Sequence, residues 1–498
     1  MKRVLAIGVV VFWGVMVVLL VRRTTSLPAA PGQSVVPPLT LIRTDLPTLQ
    51  ETHEGWMGIY QHERKIGYFH RRLTPTETGY RWEEQSRMRL NVMETPQMVQ
   101  TEVRATMGRH FALQDFTFRL LSTGAVFQVS GAVTQGKDSQ VLQGQMTSGN
   151  QTSSFTLPLN EPLYLSSTMH TVLGGTALQP GTEQRYTVFN PLSMRTDTIV
   201  ITALGPETLQ LNGQELTVTK LAQRFGGTTV HAWLDTAGTV VKEEAALGLV
   251  LLRESQAEAI GGGWQDSTPL DLVTAAAITV SQPLPEPRAV TQLRLKVSGP
   301  DDPALFTFPP RQQYDNGVLT VIREDQTALT TYQLPQTRPE FAADLASTPF
   351  IQSAHPRLVA QAQRILHSER DALSAVRLLL DWTFASLAKE PTVGMPTALE
   401  ALESKKGDCN EHAVLFTALA RAAGIPARVA AGVVYLNAAF YYHAWAEVWL
   451  GQWVAVDPVF HQFPADATHI KFIQGGPEEH MALLKVIGQL GLDVVTYQ

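Results

Sequence analysis

Between about Trp56 and Glu258, hydrophobic and polar residues alternate in short runs separated by polar turns. Successive side chains of a strand point to opposite faces, so this alternation predicts β-strands with one buried face. The runs are Trp56–Tyr60, Lys65–Phe69, Tyr80–Val92, Val99–Met107, Phe116–Leu121, Gln184–Phe189, Thr196–Leu204, Leu216–Leu221, Thr228–Leu234 and Thr239–Glu244. Short turns such as Asp235–Gly238 predict hairpins, and hence one large curved antiparallel sheet or a sandwich. A helix over Glu161–Val172 is expected to cover one face.

The pattern changes after Pro339, where apolar residues recur at helical spacing. This spacing predicts helices over 354–366, 371–387 and 398–403. The preceding segment, 290–332, alternates again and predicts a small β segment between two larger units. The tail predicts a strand over 469–473, a helix over 478–490 and a strand over 493–497, as an extension packed on the domain before it.

The chain opens with Lys2 and Arg3, followed by an apolar run from Val4 to Val21. About 20 apolar residues span a bilayer, whereas a signal-peptide core has about 7–15, so the run predicts an uncleaved anchor rather than a cleaved signal peptide. Basic residues stand on both sides of the run, which nearly cancels the positive-inside bias. We expect a single-pass protein of the inner (cytoplasmic) membrane, with a short cytoplasmic N-terminus and a periplasmic or extracellular soluble part.

These patterns predict a multidomain chain. The expected segments are an anchor (1–25), a proline-rich linker (26–48), a β-rich domain (49–260), a linker opened by three glycines (261–288), a small β segment (289–336), a mixed helix–strand domain (337–475) and a helix–strand extension (476–498).

The amino-acid composition excludes several functional classes of protein. Hydrophobic residues make up 44% of the 498 residues, which supports packed cores and excludes wholesale disorder. The net charge of -6 leaves no basic excess for phosphates, so nucleic-acid binding is not expected. A single cysteine excludes a disulfide within the chain and any multi-cysteine metal site.

That single cysteine, Cys409, precedes a strongly helical run, 413–423, which ends at Gly424 and Pro426. The unpaired N–H groups and the dipole at a helix N-terminus favour a thiolate, so the thiol pKa is expected to fall from about 8.5 toward neutrality or below. A buried, inert cysteine is the alternative.

Two predicted strands, 441–449 and 453–458, carry His443 and Asp457. A two-residue turn between these strands would place the two side chains on opposite faces. A three-residue loop would make them diagonal neighbours on one face, about 7–8 Å apart between backbones. With such a loop or a bulge, the order Cys409, His443, Asp457 supplies a nucleophile, a base and an orienting carboxylate.

Neighbouring residues have simpler roles. Asp408 and Glu411 are expected to stabilise the helix start rather than to catalyse. His412, on the helix face of Cys409, is an alternative base. The tripeptide at His231 repeats the one at His443 without a cysteine helix before it, and we interpret it as coincidence.

Three further histidines lie beyond the motifs. His461, His469 and His480 lack ligand spacing, so neither a metal nor a cofactor is expected.

Together these motifs resemble the transglutaminase-like superfamily in its bacterial form. The motifs are Gly407-Asp408-Cys409, the run Leu419–Arg428, His443-Ala444-Trp445-Ala446-Glu447-Val448 and Trp453-Val454-Ala455-Val456-Asp457-Pro458. The resemblance covers roughly 339–473. It implies a papain-like α+β core with Cys409 as nucleophile, His443 as general base and Asp457 as orienter, acting on amides by hydrolysis, cross-linking or deamidation.

The resemblance has gaps. The several β domains and the calcium sites of animal transglutaminases are not matched, so cross-linking is not implied. One oxyanion donor is expected to be the backbone N–H of Cys409. Trp382 is a possible second donor, although a core tryptophan is favoured. The β-rich region is weakly similar to modules that precede such domains in cell-envelope proteins.

The leading hypothesis is a membrane-anchored, extracytoplasmic cysteine enzyme that acts on a protein or peptide through a Cys409 thioester. The alternative is a catalytically idle binding or assembly module, with the β region holding a cell-envelope protein partner. A third hypothesis is that the β region binds an apolar ligand.

Overall fold

The computed structural model describes residues 49–498 apart from short gaps at 93–94, 123–124, 137–138, 170–172, 174–178, 226–227, 245–247, 267–268, 270, 301, 391–393, 477–478, 481–482 and 484–485. The expected anchor (1–25) and linker (26–48) lie outside the described residues. Among the helices that are described, none is long and apolar enough to cross a membrane.

The first half of the described chain forms one large antiparallel sheet. Its strands are β1 (His53–Gln61), β2 (Arg64–Pro75), β3 (Gly79–Val92), β4 (Thr95–Gly108), β5 (Leu113–Ser122), β6 (Ala125–Gln135), β7 (Gln140–Ser148), β8 (Gln151–Leu159), β9 (Glu183–Asn190), β10 (Arg195–Leu211), β11 (Gln214–Phe225), β12 (Thr228–Leu234), β13 (Val240–Glu244) and β14 (Leu249–Glu254). Hairpins connect successive strands from β1 to β8 and from β9 to β14, and β1 pairs with β14 to join the two runs.

The sheet confirms the alternation read from the sequence. In β3, buried positions alternate with more exposed ones along nearly the whole strand. The edge strands β8 and β9 meet through an aromatic cluster, in which Phe189 lies 6.1 Å from Phe155 and 5.2 Å from Phe116 between ring centroids. The sheet therefore curls back on itself, as the twist of many paired strands favours.

Two features of this region differ from expectation. Strands β6 to β8 and β14 were not predicted, and β8 reaches burial only at its last residue. The helix expected over 161–172 begins later than predicted: residues 161–165 are not helical, Ser166–Thr168 form a 3₁₀ turn, Met169 is helical, and 170–172 lie outside the described residues. Tyr164 is instead extended and donates its N–H to the Thr187 carbonyl at 2.9 Å, because β9 offers an unpaired edge.

The second half is mixed. Its helices are α1 (Gln256–Ile260), α2 (Leu272–Ala275), α3 (Ala342–Leu345), α4 (Pro356–Leu366), α5 (Ala372–Ser386), α6 (Ala398–Ser404) and α7 (Cys409–Ala422). Its strands are β15 (Ile278–Thr279), β16 (Gln292–Ser298), β17 (Gln312–Asp315), β18 (Val318–Ile322), β19 (Ala388–Lys389), β20 (Lys406–Gly407), β21 (Ala427–Leu436), β22 (Ala439–Trp449), β23 (Trp453–Val456), β24 (Ile470–Gln474) and β25 (Gly491–Tyr497). The helices expected over 354–366, 371–387 and 398–403 are confirmed as α4, α5 and α6.

The central sheet of this half has the order β15-β22-β21-β24, with β23 paired to β22. Strand β15 belongs to the segment expected to be a linker, 261–288, which therefore also contributes an edge to this sheet. The small β segment supplies β16 to β18, and the last strand, β25, pairs with β16. The helix expected over 478–490 is described only in part.

The hairpin of β7 and β8 contacts the second half near α6. Ser148 Oγ donates to the Met395 carbonyl at 3.0 Å, and Gln151 Nε2 donates to Glu403 at 2.7 Å. Polar contacts of this kind connect the large sheet to the helices that surround α7.

Candidate active site

The N-terminus of α7 is fixed by a capping box. Asp408 accepts a hydrogen bond from the Asn410 N–H at 3.0 Å, and Glu411 accepts one from the Asp408 N–H at 2.9 Å. Gly407 precedes this cap with φ of 154°, and a Cβ there would overlap the Glu411 side chain. The capping role expected for Asp408 and Glu411 is confirmed, and Cys409 is the first residue of the helix.

The helix itself is a core element. All residues from Cys409 to Ala420 are buried, because α7 packs against α4, α5, α6 and the β21–β22 pair. Its end follows the expected glycine stop: Gly424 has φ of 82°, and the Ile425 N–H donates to the Ala420 carbonyl at 2.9 Å. The nucleophile candidate is therefore placed on a rigid, solvent-excluded helix.

The β22–β23 hairpin has the loop that the candidate site requires. Trp449 pairs with Trp453, which leaves a three-residue loop at 450–452, as the favoured register predicted. Gly451, in that loop, has φ of 81°, which favours glycine. As a consequence, His443 and Asp457 share one face, and the His443 Nε2–H donates to Asp457 Oδ2 at 2.8 Å.

The Cys409 thiol lies next to the same strand, where the Ala444 N–H donates to its sulfur. Burial raises the thiol pKa well above its usual value, the Asp408 charge adds to the rise, and the Ala444 N–H offsets only part of it. The lowered thiol pKa that the sequence predicted is therefore wrong for this closed state. Loss of water around the sulfur outweighs the helix N-terminus.

Asp457 is held as a carboxylate by hydrogen bonds to both oxygens. Its Oδ1 accepts the N–H groups of Val459 at 2.7 Å and Phe460 at 2.9 Å, and its Oδ2 accepts His443 and His469. Burial acts to raise the pKa of Asp457, but the charges and hydrogen bonds of the two histidines outweigh it and hold the pKa well below its usual range. An ionised, oriented carboxylate is what an imidazole base needs.

Several buried polar atoms near Cys409 lack hydrogen-bond partners within the described residues. They are His443 Nδ1, His412 Nε2 and both polar side-chain atoms of Asn410. Because His443 donates through Nε2, its neutral Nδ1 carries a free lone pair that can accept a proton. Buried unsatisfied groups are rare in native proteins and often mark catalytic roles.

The other residues considered from the sequence, His412, Trp382 and His231, lie in environments that do not favour a catalytic role. The His412 Nδ1–H donates to the Asp408 carbonyl at 2.6 Å, and burial lowers its pKa to about 4, so it is a poor proton acceptor. Trp382 is partly buried against the core, as a core residue would be. His231 lies in β12 of the large sheet, and its ring meets that of Trp233 edge-to-face, with 6.0 Å between centroids.

Sequence reasoning missed His469. This residue precedes β24, is fully buried, and its Nε2–H donates to Asp457 Oδ2 at 2.9 Å. A histidine at the start of a predicted strand was the available signal. The sequence alone did not say that β24 pairs with β21, which brings that strand start to Asp457.

His443, Asp457 and His469 could also offer ligand atoms to a metal ion. Donor atoms of His443, Asp457 and His469 lie within 4.8 Å of one another. Both imidazoles already donate protons to the same Asp457 oxygen, however, and a metal needs their lone pairs. The donor set fits a hydrogen-bond network better than a metal centre.

Comparisons with known proteins identify the same region. Residues 359–458 match the family model of the transglutaminase-like superfamily. A search of curated proteins gives no match.

Solved structures provide likenesses at low identity. A candidate cysteine protease from Cytophaga hutchinsonii is 16% identical, with 45% of this chain and 86% of that chain covered and a TM-score of 0.28. A candidate protease from Parabacteroides distasonis is 12% identical, with 70% and 69% covered and a TM-score of 0.19. A β-barrel-like protein from Brucella abortus, with a domain of unknown function, is 10% identical, with 42% and 98% covered and a TM-score of 0.32. The chain thus combines a large antiparallel sheet with a transglutaminase-like domain at residues 359–458.

Proposed function

We propose that this protein is a cysteine acyl-transfer enzyme that acts on amide bonds of a protein or peptide. Cys409 is the nucleophile, His443 the general base and Asp457 the orienter. The hydrogen bond from His443 to Asp457 carries the proposal, because it fixes the imidazole with its free nitrogen unpaired beside a strand that contacts the thiol.

The proposed reaction has two halves. His443 Nδ1 takes the thiol proton, and the sulfur attacks the amide carbonyl, with the backbone N–H of Cys409 as one oxyanion donor. The leaving amine takes the proton from His443, which leaves a thioester on Cys409. Water or a primary amine then attacks the thioester, gives its proton to His443, and that proton returns to the sulfur. Water yields hydrolysis, and an amine yields transamidation.

The site must open for this chemistry. Cys409, His443 and Asp457 each have 0% exposed surface. The Phe460 ring stacks on the His443 ring at 4.9 Å, and the Arg288 guanidinium lies 5.8 Å from the centre of Phe460. Access to a substrate therefore requires displacement of covering residues, and proton transfer to His443 belongs to the opened state.

We further propose a single-pass anchor at residues 4–21 in the inner membrane, with the soluble part periplasmic or extracellular. This rests on the apolar run alone. The large sheet is proposed to bind a cell-envelope protein and to present it to the site, because its β7–β8 hairpin contacts the helices around α7.

An idle binding module is the second candidate function. The observation in its favour is the fully buried thiol with a raised pKa, which describes an unreactive cysteine. It leaves the unpaired His443 Nδ1 without a purpose, however, and for that reason we favour the enzyme.

The test is alkylation of Cys409 by iodoacetamide between pH 5 and 10, followed by intact mass in the purified full-length chain. We expect faster alkylation of wild type than of His443→Ala below pH 8, and His412→Ala is the matched control. Identical profiles would support the idle module. The wild type and Cys409→Ala are then compared on a casein pool with and without a fluorescent primary amine. Equal activity in the two proteins would contradict the proposed function.

A further inference from the structure

Asp457 Oδ2 is shared by two histidines rather than one. The Nε2–H groups of His443 and His469 donate to this oxygen at 2.8 and 2.9 Å, and both imidazoles are fully buried. The ring centroids of the two histidines are 5.9 Å apart. A residue outside the proposed triad is thus hydrogen-bonded to the same atom that orients the proposed base.

The second nitrogen of His469 faces another carboxylate. His469 Nδ1 lies 3.2 Å from Asp466 Oδ1, which also accepts the N–H and the hydroxyl of Thr468 at 2.8 and 2.6 Å. An oxygen that accepts from these donors belongs to an ionised carboxylate. Burial acts to raise the pKa of Asp466, but His469 and Thr468 outweigh burial and lower this pKa to about 2. Both His469 nitrogens therefore face acceptors, which requires a proton on each nitrogen.

The surroundings support a protonated His469. Asp457 and Asp466 are its charged neighbours, and His443 is the titratable group facing it, while Trp445 and Phe460 supply aromatic edges. Burial lowers the pKa of His469, but the two carboxylates outweigh it and raise the pKa to about 9.

The backbone of Asp466, whose carboxylate faces His469, is held by a buried arginine. Arg311 donates to the main-chain oxygen of Asp466 at 2.6 Å and pairs with Glu324 at 2.5 Å.

We propose that His469 is a positioning residue that, as an imidazolium held by Asp466, shares the Asp457 carboxylate with His443 and sets the alkaline limit of acyl transfer. This inference rests on the proposed function. The reaction needs protonated His443 to supply a proton to the leaving amine. A positive charge on His469 opposes the positive charge that His443 gains when it takes the thiol proton, so the proton that Cys409 and His443 share is lost at lower pH than it would be without His469.

The first arm of the test reads protonation without activity. Histidine ring ¹³C and ¹⁵N NMR spectra of the full-length chain are recorded from pH 6 to 10, with the His469 signal assigned by its loss in His469→Gln. We expect a doubly protonated His469 at pH 7.5 that loses one proton near pH 9. In Asp466→Asn the proton should leave at lower pH. A singly protonated His469 at pH 7.5 in the wild type would overturn the inference.

The second arm reads the reaction on the casein pool. In His469→Gln, whose amide N–H keeps a donor toward Asp457, the alkaline limb of kcat/KM should move upward by about one pH unit. Asp466→Asn should move it in the same direction, and it serves as the second variant if His469→Gln does not fold. Lower kcat/KM at every pH with an unmoved limb indicates a structural role and overturns the inference. Failure of the proposed function is separate, because it appears as full activity in Cys409→Ala.

Discussion

Two carboxyl groups, one in each half of the molecule, are almost equally buried and carry opposite pKa shifts. Glu84 in β3 is 4% exposed, and burial raises its pKa to about 7, which a hydrogen bond from Trp82 only partly offsets. Asp457 is 0% exposed, yet its pKa is held well below the usual range because His443 and His469 outweigh burial. Partners therefore decide the charge of a buried carboxyl more than burial does.

The comparison describes the two halves more generally. The large sheet buries alternate apolar side chains, and an ionised carboxyl group inside it destabilises the folded state. The second half places Asp457, Asp466, His443 and His469 together in a buried region and pairs them. Paired buried charges hold a fixed geometry, but removal of one member leaves the other uncompensated.

The largest effect on activity is expected for Cys409→Ala. We expect acyl-transfer activity to fall by at least about 10³-fold, because the covalent route is lost. Stability should change little, since one buried sulfur is removed. Phe189→Ala in the large sheet is the counterpart: it should lose about 3–5 kcal/mol of stability and keep its activity per folded molecule. Activity assays and urea unfolding of both variants check this pair, and an unstable but active Cys409→Ala would contradict it.

Asp457→Ala should be the most destabilising change in the site. It leaves His469 buried with only one carboxylate and His443 without its acceptor, so the free energy of unfolding should fall by about 3–5 kcal/mol. Urea unfolding at pH 7 measures this. Asp325→Ala, at an exposed turn, is the matched control and should cost at most about 1 kcal/mol. Equal losses in the two variants would show that the buried network does not contribute.

His469 predicts an alkaline loss of stability. Its pKa rises from 6.5 to about 9 on folding, so its contribution is fully present below pH 6.5 and is lost as pH rises through 9. The difference is at most about 3 kcal/mol between pH 6 and pH 10. Urea midpoints at these two pH values should differ more in wild type than in His469→Gln. An equal change of the urea midpoint between the two pH values in wild type and His469→Gln would contradict the prediction.

Glu84→Gln should act in the opposite sense to Asp457→Ala. The Glu84 pKa rises from 4.5 to about 7 on folding, so this residue stabilises least at high pH, after the folded protein has lost the proton. A neutral amide avoids that ionisation, and we expect a gain of about 1–3 kcal/mol above pH 8 that vanishes near pH 4. Thermal unfolding at pH 8 and pH 5 tests it, and a loss at pH 8 would show that the charge of Glu84 is stabilising.

The smallest effect is expected where the two halves meet. Gln151→Ala removes the hydrogen bond to Glu403 and should cost about 1 kcal/mol or less, because the pair is exposed. Iodoacetamide reactivity of Cys409 should stay unchanged. A changed reactivity would mean that the β7–β8 hairpin controls access to the site.

Much of the molecule could be read from local pattern. Period-two alternation identified most strands of the large sheet, and helical spacing identified α4, α5 and α6. The motif order predicted Cys409 at a helix start and the three-residue loop that aligns His443 with Asp457. Strands β6 to β8 were not predicted because their polar runs alternate weakly. Helical structure begins later than residue 161 because Tyr164 pairs with an edge strand.

The sequence by itself determined most of the helices and strands and the order of the proposed nucleophile, base and carboxylate, because those depend on neighbours along the chain. Only the tertiary structure decided that His469 contacts Asp457, since this requires β24 to pair with β21, with Gly432 opposite Lys471, 39 positions along the chain. Only packing decided that the Cys409 thiol is desolvated, which reverses the shift expected from its helix position. Local periodicity fixes elements, whereas contacts between distant segments fix charge and burial.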